Sequence, residues 1–147
     1  MKEELYKHCL SYVEERLHRV QHTITTLQES LTSETKSTAG DKHETGRAMV
    51  QLEREKAGIQ LSEIQKLQQL LAKISFESNT GVIHLGSLVY TTHSIYYIAI
   101  SVGEIKIAKE SIYAIASNTP IGKLLVGKRA EDSFAFNGIT QKILKVL

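Results

Sequence analysis

The chain of 147 residues has no tryptophan, one proline, one cysteine and only 6% aromatic residues. A single cysteine cannot close a disulfide within the chain. Cys9 stands in line with Leu5 and Val13 at helical spacing, which makes it a buried apolar side chain rather than a nucleophile. An excess of either charge is also lacking, with 18 basic residues against 16 acidic ones. A net charge of +2 gives no broad basic surface for a nucleic-acid backbone, so independent DNA binding is not expected. No apolar run reaches membrane-spanning length, and no charged start leads into an apolar stretch with a small-residue cleavage site. A soluble cytoplasmic protein with no membrane partner is the expectation. With 41% hydrophobic residues the chain can fill one or two small cores.

Proline is missing altogether from Met1 to Ser75, and the only glycines there are Gly40, Gly46 and Gly58. Leu, Glu, Gln and Lys fill the space, so this half reads as helix. Leu5, Cys9, Val13, Leu17, Val20, Ile24, Leu27 and Leu31 step by three or four residues along one face. A second stripe is expected through Met49, Leu52, Ala57, Leu61, Ile64, Leu67, Leu71 and Ile74. Between them, "TSETKSTAGDKHETG" is polar and hydroxyl-rich and reads as a turn. Two helices with one apolar stripe each bury both by folding back on one another. The expectation for residues 1–75 is an antiparallel coiled-coil hairpin with a tip loop near 34–46.

Residues 76–147 change period. The runs "VIHLGSLVYTT", "SIYYIAIS" and "GEIKIA" are short, rich in β-branched residues and tyrosine, and separated by turn residues, as strands are. A short helix is expected at about Pro120 to Val126, with Thr119 as N-cap and Pro120 at its first position. Two further strands, "DSFAF" and "ITQKILKVL", meet at Asn137-Gly138, a tight-hairpin signal. Tyr96 and Tyr97 would then alternate, one ring inward and one outward. The fold class is α+β, a helical hairpin followed by a small antiparallel sheet with one short helix.

In "IGKLLVGKR", Gly122 and Gly127-Lys128 have the spacing of a phosphate-binding loop. Arg129 occupies the position of the Mg²⁺-ligating hydroxyl, and a fixed cation there repels the metal. The four residues between the glycines suit an apolar helical turn, so a nucleotide site is not expected.

The run Thr119-Pro120-Ile121-Gly122-Lys123-Leu124-Leu125-Val126-Gly127-Lys128, carried behind a helical hairpin, resembles the Gre transcript-cleavage factors of bacterial transcription. That family typically reads Ser-Pro-Ile-Gly-Lys-Ala-Leu-Leu-Gly-Lys at this point. At the hairpin tip the family's Gly-Asp-x-x-Glu core is kept as Gly40-Asp41-Lys42-His43-Glu44. The next four residues, Thr45, Gly46, Arg47 and Ala48, depart from the usual Asn-Ala-Glu-aromatic run.

The resemblance implies an FKBP-like C-terminal domain and a coiled coil that enters the secondary channel of bacterial RNA polymerase. It implies that Asp41 and Glu44 assist the polymerase active site by sharing a Mg²⁺ at the 3′ end of backtracked RNA. It further implies docking through the C-terminal domain, for which Pro120, Ile121, Gly122 and Lys123 are the candidates. Such a protein is a monomeric cofactor of the polymerase and no enzyme by itself. Taken from the residues alone, Asp41 and Glu44 also fit a helix N-cap and a first-turn acid, and His43 fits a solvated side chain. Lys36, Lys42 and Arg47 fit either solubilising charges or contacts to phosphate or acidic protein surface. The altered tip keeps open a channel-occupying regulator that stimulates no cleavage. A prolyl isomerase finds little support in three phenylalanines and no tryptophan.

Overall fold

The computed structural model describes residues 1–36, 40–77 and 80–147, with the backbone alone for 33–36 and 40–45. The elements run α1 (Lys2–Lys36), α2 (Gly40–Ala72), β1 (Leu88–Thr91), β2 (Ile95–Ala99), β3 (Gly103–Ile107), β4 (Glu110–Ala116), α3 (Pro120–Leu125), β5 (Ser133–Phe136) and β6 (Ile139–Val146). The α+β class holds: a long helical hairpin precedes a six-stranded, mostly antiparallel sheet with one short helix. The chain forms two compact units, Val13–Gln68 and Met1–Tyr12 with Gln69–Leu147. Among the described residues no helix is long and apolar enough to cross a membrane.

In the Val13–Gln68 unit the two helices bury one face each. Val13, Ala57 and Ile64 are fully buried, and Leu17, Val20, Ile24, Leu27, Leu31, Val50 and Leu61 are half-buried. On α2 the sequence stripe needs correction. Met49 is 63% and Leu52 65% exposed, and the inward line starts from Val50 instead, seven residues before Ala57 and fourteen before Ile64. Threonines tolerate the interior of α1 because their hydroxyls bond back one turn, Thr23 to the Arg19 carbonyl and Thr25 to that of Gln21, both at 3.0 Å. The helices also reach further into the polar segment than its composition suggests: α1 extends to Lys36 and α2 opens at Gly40.

In the other unit the strand order is β3-β4-β2-β1-β6-β5. Four of its pairings are antiparallel, but β2 and β4 run parallel, Ile95 opposite Ile112 and Ala99 opposite Ala116. Strand β4 is a run that turn chemistry did not announce. Its hairpin with β3 turns through Ala108 and Lys109, both at positive φ (51° and 70°) although neither is Gly or Asn. The β5–β6 hairpin turns at Asn137 (φ 51°) and Gly138 (φ 78°), as the Asn-Gly pair requires.

One sheet face packs under α3, where Ile83, Val89, Tyr96, Ile98, Ile121, Leu125, Phe134 and Ile143 form the core. The opposite face is covered as well. Leu5, Cys9 and Leu71 are buried there with Tyr97, and the Tyr6 ring meets Phe76 edge-on at 5.2 Å. Tyr96 and Tyr97 do alternate, yet neither faces water: they are 7% and 0% exposed, because both sides of the strand are packed.

Candidate functional site

The run resembling the Gre motif folds as a short capped helix. The Thr119 hydroxyl donates to the Ala116 carbonyl at 2.7 Å and accepts the Gly122 N–H at 3.1 Å, while Pro120 opens α3. Gly122 is the one residue that fits its place, since a Cβ there would run into the Ala116 carbonyl oxygen and lie 2.9 Å from the Thr119 hydroxyl. The helix stops at Gly127, whose φ of 90° suits glycine. Ile121 and Gly122 are buried, whereas Pro120 and Lys123 are exposed. Of the four residues considered for docking, these last two present surface.

The same geometry removes the phosphate-loop reading. The Gly127 N–H is taken by the Ile83 carbonyl at 2.9 Å and the Lys128 N–H by the Leu125 carbonyl at 3.0 Å. The Arg129 N–H goes to the Asp132 carboxylate at 2.8 Å. Backbone donors that would cradle an anion are already engaged inside the fold.

Asp41 falls in the first turn of α2, where the helix dipole favours acids, inside the helix rather than at its N-cap, and Glu44, the fifth residue from Gly40, falls just past that turn. Their side chains, with those of Lys36, Lys42 and His43, lie outside the described residues. Arg47 is described and exposed. Among the described residues no three His, Cys, Asp or Glu side chains gather as a metal site.

Ser87 and His84 approach at 3.3 Å, which invites a nucleophile reading. The pair cannot act so. His84 Nδ1 lies 2.8 Å from the Val82 carbonyl, an acceptor only, so Nδ1 holds the proton and cannot take one from serine. Ser87 is also fully buried. Cys9 is equally inert: burial pushes its thiol up to about 11, against a smaller opposing effect of a hydrogen bond to the Ile100 backbone.

A cleft that sequence reasoning missed opens between the start of β2, β4 and the β5–β6 turn. It holds about 250 Å³. Tyr96, Tyr113, Phe136 and Ile139 supply its apolar walls, and Gln141, only 2% exposed, forms its floor. The Tyr96 and Tyr113 rings stand 6.3 Å apart at 42°. The Thr91 hydroxyl positions Gln141. It accepts the backbone N–H groups of His93 and Ser94 at 3.1 and 3.0 Å and turns its proton to Gln141 Oε1 at 2.8 Å and the Ser94 carbonyl at 2.9 Å. The Tyr96 phenol lies 3.5 Å from both Gln141 Oε1, to which it can donate, and Nε2, from which it can accept, the far limit of a hydrogen bond, and Nε2 has no nearer partner. Sequence signals for this cleft were weak, since its aromatic residues are spread over three strands and only the Asn-Gly turn marked one wall.

Comparison with protein-family models gives no match, and comparison with curated proteins gives none either. Among solved structures the chain is similar to the transcription factor Gfh1, at 18% identity over 96% of this chain and 92% of that chain, with a TM-score of 0.36. At that identity and score, a functional reading has to stand on the chain's own residues.

Proposed function

We propose that the protein is a transcription factor that binds bacterial RNA polymerase and stimulates cleavage of backtracked RNA. The observation that supports it best is the pairing, in one chain, of a hairpin of 35- and 33-residue helices with a sheet unit in which the Gre-like run is a capped helix. Helices of that length span about 50 Å at 1.5 Å per residue, enough to reach into a channel. The Gly-Asp-x-x-Glu core opens α2.

In this reading the sheet unit docks through a surface that includes Pro120 and Lys123. Asp41 and Glu44 would share with the polymerase a Mg²⁺ whose role is to activate water and stabilise charge at the phosphate. Two carboxylates bind Mg²⁺ weakly by themselves, so the chain acts as a cofactor of another enzyme and cleaves nothing alone. The departure at Thr45-Gly46-Arg47-Ala48 favours one second reading, a regulator that occupies the channel without stimulating cleavage.

A backtracked elongation complex tests both. The wild-type chain is expected to release a short 3′ RNA fragment, while Asp41→Asn and Glu44→Gln bind with unchanged affinity and release none. Slowed elongation with no fragment from the wild type at any Mg²⁺ concentration would overturn the cleavage reading in favour of the regulator. No binding to core polymerase would overturn both.

A further inference from the structure

We propose that the cleft floored by Gln141 is a docking site for an uncharged polypeptide segment that inserts one large apolar side chain and offers a backbone carbonyl to the Gln141 amide. The inference stands apart from the polymerase reading, because it rests on the cleft alone.

Charge is the first argument. Of the residues lining the cleft only His93 is a titratable base and none carries a permanent charge, so an ionic occupant would be desolvated against tyrosine, phenylalanine and isoleucine with no permanent counter-charge to pair it. The polar group at the floor points to a particular chemistry. Gln141 Oε1 is engaged by Thr91, whereas Nε2 has two hydrogens and only the distant Tyr96 phenol. A buried amide donor in that condition gains from an acceptor, and a neutral carbonyl supplies one without bringing charge.

Size then separates a polypeptide from a small molecule. At about 250 Å³ the cleft is smaller than the roughly 300–1,000 Å³ of sites that enclose drug-sized ligands. It suits one side chain. The apolar surface also continues past the cleft, since Tyr113 is 37% and Ile139 45% exposed on its walls. An occupant confined to the cleft leaves that surface wet, and a chain running across the rim covers it. Rigid aromatic walls around one inserted anchor are the pattern that concentrates binding energy at protein interfaces.

The test uses the full-length chain as bait for a displayed library of random peptides, followed by titration of the enriched peptides by fluorescence anisotropy. Enriched peptides are expected to share one large apolar residue within an uncharged run. Ile139→Ser and Tyr113→Ser, both at exposed wall positions, should each weaken binding about tenfold with the melting temperature nearly unchanged. Gln141→Leu removes the amide donor and should also weaken it, and the two wall variants keep the test decisive if that protein does not fold. No enrichment, enrichment of charged peptides, or equal affinity in both wall variants would each overturn the proposal. So would N-acetylphenylalanine amide binding as tightly as the peptides, which would make the cleft a small-molecule site.

Discussion

A Cβ on residue 122 would collide with the carbonyl oxygen of Ala116, the same oxygen to which the Thr119 hydroxyl donates. The last residue of β4, the cap of α3 and a buried helical glycine therefore meet at one point. The contact is with backbone, which cannot swing aside. Gly122→Ala is expected to destabilise the chain by about 3 kcal/mol despite alanine's better helix propensity, and Thr119→Ala by about 1 kcal/mol. Urea unfolding followed by circular dichroism checks the order. A neutral Gly122→Ala would show that β4 and α3 part easily.

Gln141 and Thr91 form a buried polar pair, so breaking it from one side should cost more than replacing it. Thr91→Val leaves the buried Gln141 Oε1 with only the Tyr96 hydroxyl at 3.5 Å and is expected to cost about 2 kcal/mol. Gln141→Leu in the same background should recover part of that loss, a positive coupling readable in a double-mutant cycle. Simple additivity would mean that water replaces the missing donor.

On α2 the exposed and buried lines predict opposite behaviour for similar residues. Leu52→Lys should change stability by less than about 0.5 kcal/mol, whereas Ile64→Ala should cost about 3 kcal/mol. Gly58 has open space at its Cβ position, so Gly58→Ala is expected to stabilise by about 1 kcal/mol. Thermal melts of the three variants settle the helix register. A large loss in Leu52→Lys would restore the stripe through Met49 and Leu52.

Burial raises the titration of both Cys9 and Tyr97, so the folded state holds these protons longer than the unfolded state does. The resulting stability is fully present below the unfolded thiol value near 9 and is lost as pH rises through about 11. The urea midpoint should fall between pH 9 and 11, and Cys9→Ala should flatten part of the slope while Tyr97 keeps the remainder. Folded protein should also resist thiol reagents that label it at once in urea. Fast labelling of the native chain would show that Cys9 is accessible.

If Lys123 contacts polymerase, Lys123→Glu should weaken binding to the core enzyme about tenfold without moving the melting temperature, since its side chain is exposed. Equal binding would move the docking surface away from the exposed edge of α3.

Much of this architecture was legible because strong local signals agreed with the packing. Pro120 behind Thr119 opened α3 where expected, Asn137-Gly138 turned a hairpin, and Cys9 fell on the buried line with Leu5 and Val13. The readings that needed correction share a cause. Ala48-Met49-Val50 offers three consecutive apolar positions, and periodicity alone cannot choose among them. Strand β4 hid because Ala108-Lys109 makes its turn with residues that ordinarily avoid positive φ, leaving no punctuation between β3 and β4. The cleft hid for another reason. Tyr96, Tyr113 and Phe136 come together only through sheet topology, including a parallel pairing that no short-range pattern encodes.

Strand β6 lies between β1 and β5, so Thr91 and Gln141, 50 residues apart, share one hydrogen bond. During synthesis β1 has no partner on that side until β6 has left the ribosome. The helical hairpin can close early, from residues near one another, while the sheet waits with an open edge. A nascent chain stalled before residue 139 would therefore carry a formed helical hairpin and an unfinished sheet, the species that chaperones and proteases would meet first.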